Sequence, residues 1–383
     1  MSMAHWLFQE EHEMLRKSLR AWVEREIKPH VEEWEEKGEF PRELFTRAGE
    51  LGFLGLTYPE EYGGSGEDYL AGAVFTEELA RCGSGGVAAG LGASIGIAAP
   101  QIYKFGSEEL KRRFLVPTIS GEKIGALGIT EPNAGSDVAS IQTTARDGGD
   151  HYVVNGSKIF ITNGVRADYV VAAVKTDPAA DYKGISLLVI EKGTPGFSVA
   201  KKLDKLGWNA SDTGELIFED CRVPKENLVG RENEGFYYIM QNFAWERLVM
   251  ALAGVAGAQL SLEEAIRYAQ QRIQFGRPLS KFQVIRHKLA DMASLVETAR
   301  CLTYHALSLY VAGEDALTAV AMAKIYACEA ASRVADEALQ IHGGYGYMME
   351  YPVQRFWRDA RIGTIGGGTT EIMKQIIADR MIK

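Results

Sequence analysis

The segment Gly128-Ile129-Thr130-Glu131-Pro132-Asn133-Ala134-Gly135-Ser136-Asp137 stands where the chain changes character. Upstream of it, to about residue 125, the hydrophobic period is helical. Leu15, Leu19, Trp22, Val23 and Ile27 share one face, with charges between them. Pro41 opens another helix carrying Leu44, Ala48 and Leu51, and turns such as Tyr62-Gly63-Gly64-Ser65-Gly66 separate the pieces. Downstream, residues 126 to 230 read as short strands. Tyr152-Val153-Val154 and Lys158-Ile159-Phe160-Ile161 flank Asn155-Gly156, which predicts a hairpin, because Asn-Gly adopts the positive φ of a type I′ turn. Tyr169 to Val174, Ile185 to Ile190 and Leu216 to Glu219 add strands at sandwich or barrel spacing, and Gly148-Gly149 reads as a plain turn. From about residue 234 the helical period returns and runs to Lys383, broken at Gly343-Gly344 and Gly366-Gly367-Gly368. This layout predicts an α+β multidomain protein: an N-terminal α-helical domain (1–125), a middle β-barrel or sandwich domain (126–233) and a C-terminal α-helical domain (234–383).

A chain of 383 residues is long enough for two or three domains and a large core without disulfides or metals. With 42 basic and 51 acidic residues its net charge is −9, which argues against a phosphate-driven nucleic-acid binder. Cys82, Cys221, Cys301 and Cys328 are far apart, the pattern of buried thiols in a reducing compartment. No metal is expected, since the seven histidines show no ligand spacing. Met1 to Glu10 lacks the features of a secretory signal, and no run of about 18 apolar residues predicts a membrane span. The most apolar window, Phe243 to Leu260, contains Glu246 and Arg247, so a buried helix is expected there and no membrane insertion.

Four constellations carry chemical potential. In the Gly128–Asp137 segment, small residues and hydroxyls suit close approach to a ligand, although a surface turn with an Asx cap is the plainer reading. Gln340-Ile341-His342-Gly343-Gly344-Tyr345-Gly346-Tyr347 suits either a helix C-cap or an anion-cradling loop. Arg272, Phe275 and Gln283 follow a helix, and Arg272 suits a phosphate, though a surface Arg is the ordinary outcome. Finally, Glu246 has Asn242, Phe243, Val249 and Met250 as helical neighbours. A carboxylate among apolar groups is costly to desolvate, so its pKa should rise, as a general base near neutrality requires. A Glu paired with an Arg elsewhere fits that pattern equally well. Walker, nucleophile-elbow and Gly-x-Gly-x-x-Gly dinucleotide motifs are absent.

Together these segments resemble the acyl-CoA dehydrogenase family over roughly Trp6 to Ile382. Pro59-Glu60-Glu61-Tyr62-Gly63-Gly64 is similar to its N-terminal domain. Gly128 to Asp137 resembles its first signature, and Gln340 to Asp359 its second. The resemblance implies helical, β and four-helix-bundle domains, an FAD between the last two, and a homotetramer whose subunits share each FAD site. It implies that Leu127, Ile129, Thr130, Gly135, Ser136, Phe160 and Thr162 line the flavin and ribityl side. Arg272, Phe275 and Gln283, with Gln340, Gly343 and Gly344, would meet the diphosphate and adenine, and Thr369 and Glu371 would reach the FAD from the C-terminal loop. The implied reaction is α,β-dehydrogenation of an acyl-CoA, with electrons passed to an electron-transfer flavoprotein.

One departure narrows the reading. Many members of that family carry the base in Tyr-Glu-Gly-Thr; the matching segment here is Gly366-Gly367-Gly368-Thr369, and Gly367 has no side chain. Long-chain and isovaleryl-type members instead place a Glu on the first helix of the C-terminal domain, where Glu246 stands in Trp-Glu-Arg-Leu-Val. The resemblance therefore implies Glu246 as base. It leaves the Gly367 backbone N–H to bind the thioester oxygen, and Ser136, Phe243, Ala244, Arg247 and Gly368 to line the substrate. Room at Gly366-Gly367 and the segment Gly368 to Lys374 favour medium-to-long or branched acyl groups. An oxidase or monooxygenase on the same scaffold, and a non-catalytic acyl-CoA- or FAD-binding homologue, are the alternatives. The expected location is the bacterial cytoplasm, or the mitochondrial matrix for a processed eukaryotic form.

Overall fold

The structure is a computed structural model, and it describes residues 7–66 and 68–382. Residues 1–6 of the stretch that is expected to lack a secretory signal lie outside that range. The N-terminal part consists of α1 (Glu10–Trp22), α2 (Val31–Lys37), α3 (Glu43–Glu50), α4 (Tyr69–Ala80), α5 (Gly85–Ala93), α6 (Ala99–Phe105), α7 (Glu108–Leu110) and α8 (Val116–Ile119). The apolar stripe read from α1 is real: Leu19, Trp22, Val23 and Ile27 are buried. Caps set the starts of α4, which packs on α1, and of α5, which packs on α4. The Asp68 carboxylate accepts from the Leu70 and Ala71 N–H groups to open α4, and the Ser84 hydroxyl accepts from Val87 N–H to open α5.

The middle part is a curled seven-stranded sheet made of β1 (Gly125–Gly128), β2 (Thr144–Asp147), β3 (His151–Thr162), β4 (Tyr169–Lys175), β5 (Ile185–Glu191), β6 (Phe197–Lys202) and β7 (Thr213–Pro224). The order is β1-β4-β2-β3-β7-β6, with β5 on β4. β4 and β5 read as unbroken apolar runs because both their faces are covered. Tyr169, Val171, Ala173, Leu187 and Val189 join the core shared with the N-terminal helices. Val170, Ala172, Val174, Leu188 and Ile190 fill the interior of the sheet domain.

The hairpin expected at Asn155-Gly156 does not form. β3 runs straight through it, and the β2–β3 turn falls instead at the Gly148-Gly149 pair. Only Gly156 has positive φ (+145), whereas a type I′ turn needs it at both central residues. The Asn155 amide is otherwise engaged. It donates to Asp220 Oδ1 at 3.1 Å and accepts from Asp220 N–H at 2.8 Å, across a register shift between Val154 and Gly156. The Asn-Gly pair thus builds a bulge against β7. A Cβ at Gly156 would stand 2.5 Å from Thr143 Oγ1, which is why the bulge takes glycine.

The C-terminal part begins with the long helix α9 (Gly235–Gln271), passes a two-stranded hairpin of β8 (Ile273–Gln274) and β9 (Arg277–Pro278), and continues with α10 (Gln283–Val311), α11 (Leu317–His342), α12 (Pro352–Ala360) and α13 (Thr370–Met381). Helices α9, α10 and α11 pack on one another, and α12 and α13 both pack against α11. The sequence predicts no run long enough for a membrane span, yet two helical segments, 85–105 and 235–271, are long and apolar enough to cross a membrane by length and composition. Both pack inside the protein: Val87, Leu91, Ile102, Leu248, Leu252 and Val255 are buried. α9 is apolar on several sides because it touches α4, α6, α10 and α11 at once. Three cysteines are buried as expected, but Cys301 is exposed on α10.

Candidate active site

Glu246 lies mid-way in the first half of α9, 7% exposed, between Trp245 and Arg247. Trp245 is clamped by Tyr69 from α4 and Tyr310 from α10, at ring-centroid distances of 4.8 and 5.6 Å, which fixes the rotation of the helix at this turn. Burial pushes the Glu246 carboxyl up to about 8, against the opposing pull of Arg247, the Asn242 amide and Lys104. Asn242 Nδ2 donates to Glu246 Oε1 at 3.4 Å. The expectation of a desolvated, proton-retaining carboxylate is therefore met.

The C-terminal glycine loop arrives beside the same face of α9. Met250 lies one turn beyond Glu246, and a Cβ at Gly367 would stand 3.4 Å from Met250 Cγ. A Cβ at Gly368 would stand 3.9 Å from Arg247 Nε and 2.7 Å from Met373 Cε. The buried Lys324 of α11 donates to the Gly368 carbonyl at 2.6 Å and pins this loop to the bundle. Thr369 then caps α13, its hydroxyl accepting from Ile372 N–H, with Glu371 exposed in the first turn. The guanidinium of Arg247 lies 5.0 Å from the Phe243 ring, and its Nε is buried without a hydrogen-bond partner among the described residues. The stretch of α9 that carries Phe243, Glu246 and Arg247 thus lies, through Arg247 and Met250, against Gly367 and Gly368 from the far end of the chain. Ala244 is half-buried on the same turn of α9.

The second group sits where β1 leads into the Gly128–Asp137 segment. The Thr130 carbonyl accepts from Ile159 N–H at 2.9 Å, which lays the segment along β3 beside Phe160 and Thr162. Beneath it the fully buried Lys158 donates to Glu131 Oε1 at 2.7 Å and to the Ile129 carbonyl at 3.1 Å. Burial lowers Lys158 to about 8. Glu131, which burial alone would raise, is held below the usual range by Lys158 and by N–H groups of Gln142 and Thr143. Leu127 and Ile129 are largely covered, Ser136 is exposed, and a Cβ at Gly135 would meet nothing within 4 Å. Phe160 is 65% exposed and holds a left-handed φ of 61, a strained choice for an aromatic residue.

The third group lies at the far end of the bundle. Arg272, Gly343 and Gly344 line one cavity of about 490 Å³ with Tyr268, His342 and Tyr345. The Arg272 guanidinium lies 5.2 Å from the Tyr345 ring centroid. Gly343 takes φ +59 and ψ −138, a region essentially closed to L-residues, so α11 ends in a loop that presents bare backbone. His342 Nδ1 faces the Ala338 carbonyl at 2.8 Å, while its buried Nε2 has no hydrogen-bond partner among the described residues. Phe275, at the tip of the hairpin, is 94% exposed, and Gln283, at the start of α10, and Gln340, just before the glycine loop, are exposed as well. A guanidinium, bare glycine backbone and an open aromatic ring are the chemistry a diphosphate and a heterocycle require, so these residues fit a dinucleotide. Gly343→Ala is expected to weaken FAD retention, read as flavin released on gel filtration, because an alanine there costs about 1–3 kcal/mol of strain.

Sequence reading gave no role to Lys104, Lys324 or the Glu131–Lys158 ion pair. Their partners are distant along the chain (Lys104 bonds a residue 138 positions away), so no local pattern marks them.

The chain matches the acyl-CoA dehydrogenase N-terminal domain over residues 9–122, the middle domain over 126–221 and the C-terminal domain over 233–382. It is 44% identical over 374 residues to the short-chain specific acyl-CoA dehydrogenase of Clostridium acetobutylicum, covering 97% of this chain and 98% of that one. It is 40% identical over 378 residues to the mitochondrial long-chain specific acyl-CoA dehydrogenase of Sus scrofa, covering 98% and 87%. Butyryl-CoA dehydrogenase from Megasphaera elsdenii superposes with a TM-score of 0.95 at 40% identity over all of both chains. With all three domains matched in order along almost its whole length, the chain belongs to the acyl-CoA dehydrogenase family.

Proposed function

We propose that this protein dehydrogenates a fatty or branched acyl-CoA thioester to the trans-2-enoyl-CoA, with Glu246 as the base that takes the α-proton. The observation that carries this reading is a buried, proton-retaining carboxyl on the stretch of α9 whose Arg247 and Met250 lie against a glycine loop that has no side chain to do that work. FAD, when bound, supplies the acceptor for the β-hydride. Leu127, Ile129, Thr130, Gly135, Ser136, Phe160 and Thr162 hold its flavin and ribityl side. Arg272, Phe275, Gln283, Gln340, Gly343 and Gly344 hold its diphosphate and adenine, with Thr369 and Glu371 at the C-terminal loop. The Gly367 N–H donates to the thioester oxygen and so acidifies the α-carbon. Phe243, Ala244, Arg247, Gly368 and Ser136 shape the acyl-CoA channel and exclude water around Glu246. The electrons leave to an electron-transfer flavoprotein.

The base must be ionised before it can act, so kcat/KM is expected to rise with pH and level off above about 8. Relatives at nearly the same identity carry short-chain and long-chain names, so chain preference is a matter for a panel. Anaerobic titration of the holoprotein with short, medium, long and branched acyl-CoAs is the test. Bleaching of the yellow flavin by medium-to-long or branched members is expected. A flavin that stays oxidised with every acyl-CoA would end the proposal.

Ile273, Phe275, Val284, Tyr347 and Met349 are all well exposed around the third group of residues. Such an apolar surface suits burial against another copy of the chain. A homotetramer is expected by light scattering, and a monomer at micromolar concentration would contradict the shared-site arrangement.

A further inference from the structure

A short donor chain runs from the protein surface to Glu246. Lys104 of α6 is exposed, yet its Nζ donates to Oδ1 of the fully buried Asn242 at 3.0 Å. Asn242 Nδ2 in turn donates to Glu246 Oε1, one helical turn further along α9, at 3.4 Å. Phe105 stacks on Tyr238 with centroids 4.0 Å apart and presses α6 against this part of α9. An ammonium can only donate, so the amide atom that meets it must be the oxygen. The amide nitrogen is thereby left facing the carboxylate. Without the ammonium, the amide is free to turn over and accept, through its oxygen, from a protonated Glu246 carboxyl, an arrangement that favours the neutral acid.

We propose that Lys104 is a positioning residue for the base: it locks the Asn242 amide so that an N–H points at Glu246, and it favours the ionised carboxylate that receives the proton. This rests on the reading of Glu246 as the base. At 3.4 Å the second bond is long, as hydrogen bonds of unliganded catalytic sites often are, and it has room to shorten as charge builds on the carboxylate. Burial is the force being opposed, and the two cations acting on Glu246 are Arg247 from its own helix and Lys104 from α6. On α11, Lys324 faces the Gly368 carbonyl and Arg247 instead. Tyr69 of α4 and Tyr310 of α10 face Trp245.

The test uses the FAD-loaded enzyme and the rate of flavin reduction by saturating acyl-CoA as a function of pH. Lys104→Met is expected to move the profile up by about one unit. The rate then falls about tenfold on the acid limb and changes little on the alkaline plateau. Lys104→Arg, also a donor without an acceptor, is expected to keep the wild-type profile. A Lys104→Met profile that coincides with wild type, or moves down, overturns the proposal. Should that variant fail to fold, Lys104→Ala replaces it, since it too leaves Asn242 Oδ1 without a donor and the same upward move is expected. Glu246→Gln is measured in parallel to keep the two claims apart. Normal reduction of that variant defeats the base assignment, whereas an inactive Glu246→Gln beside an unmoved Lys104→Met defeats only the role of Lys104.

Discussion

Glu246→Gln is expected to slow flavin reduction by acyl-CoA by about 10²–10⁴-fold, the usual contribution of a positioned general base. Its FAD content is expected to match wild type, because none of the residues assigned to the dinucleotide depends on this carboxylate. The two side chains are nearly isosteric, and Asn242 Nδ2 can still donate to the amide oxygen. The same substitution is expected to stabilise the protein at alkaline pH. Glu246 has a folded pKa of about 8, above its unfolded value, so between roughly pH 4.5 and 8 the folded state keeps a proton that the unfolded state has released. Stability therefore falls as pH rises through that window in the wild type, and Gln removes the fall. A higher Tm for the variant at pH 8 than at pH 5, each relative to wild type, is the expected result. Equal differences at both pH values would show that the carboxylate is not buried as described.

Lys158→Met is expected to have the largest effect on stability, a loss of about 3–5 kcal/mol at pH 7 to 8 by urea unfolding. Lys158 is fully buried and its partner Glu131 is nearly so, and removing the ammonium strands a charge in the interior. The bonds from Gln142 and Thr143 N–H remain and place the loss toward the lower end of that range. The sign of the pH effect distinguishes this mechanism from a simple packing defect. Stripped of Lys158, Glu131 takes up a proton more readily in the folded state, so the deficit should shrink as pH falls toward 5. A packing defect would be constant with pH. Because Lys158 also holds the Ile129 carbonyl, looser flavin retention is expected to accompany the loss. A loss under about 1 kcal/mol, or one independent of pH, would contradict this account of the pair.

How far the sequence carries can be seen residue by residue. The three-part architecture follows from period alone, since a switch from 3.6 to 2 and back is written in the apolar positions. Residues at 246 and 367 could be paired only through the family resemblance, because nothing local places a C-terminal glycine loop against α9. The Asn155-Gly156 error has the opposite cause. Local turn propensity was sound, but pairing with Asp220 on β7 outweighed it. Lys104 was illegible for the same long-range reason. An exposed lysine near the end of a short helix looks like solvated surface until the fold brings Asn242 beneath it.

The central claim is that Glu246 itself removes the α-proton, and the most direct measurement isolates that step from hydride transfer. The holoenzyme is incubated in D₂O with an acyl-CoA analogue whose β-carbon is replaced by sulfur, which has no β-hydride to lose, and deuterium at the α-carbon is followed by mass spectrometry. Wild-type enzyme is expected to incorporate α-deuterium, faster as pH rises toward 8, and Glu246→Gln to incorporate it no faster than buffer. Exchange by Glu246→Gln at the wild-type rate would place the base elsewhere.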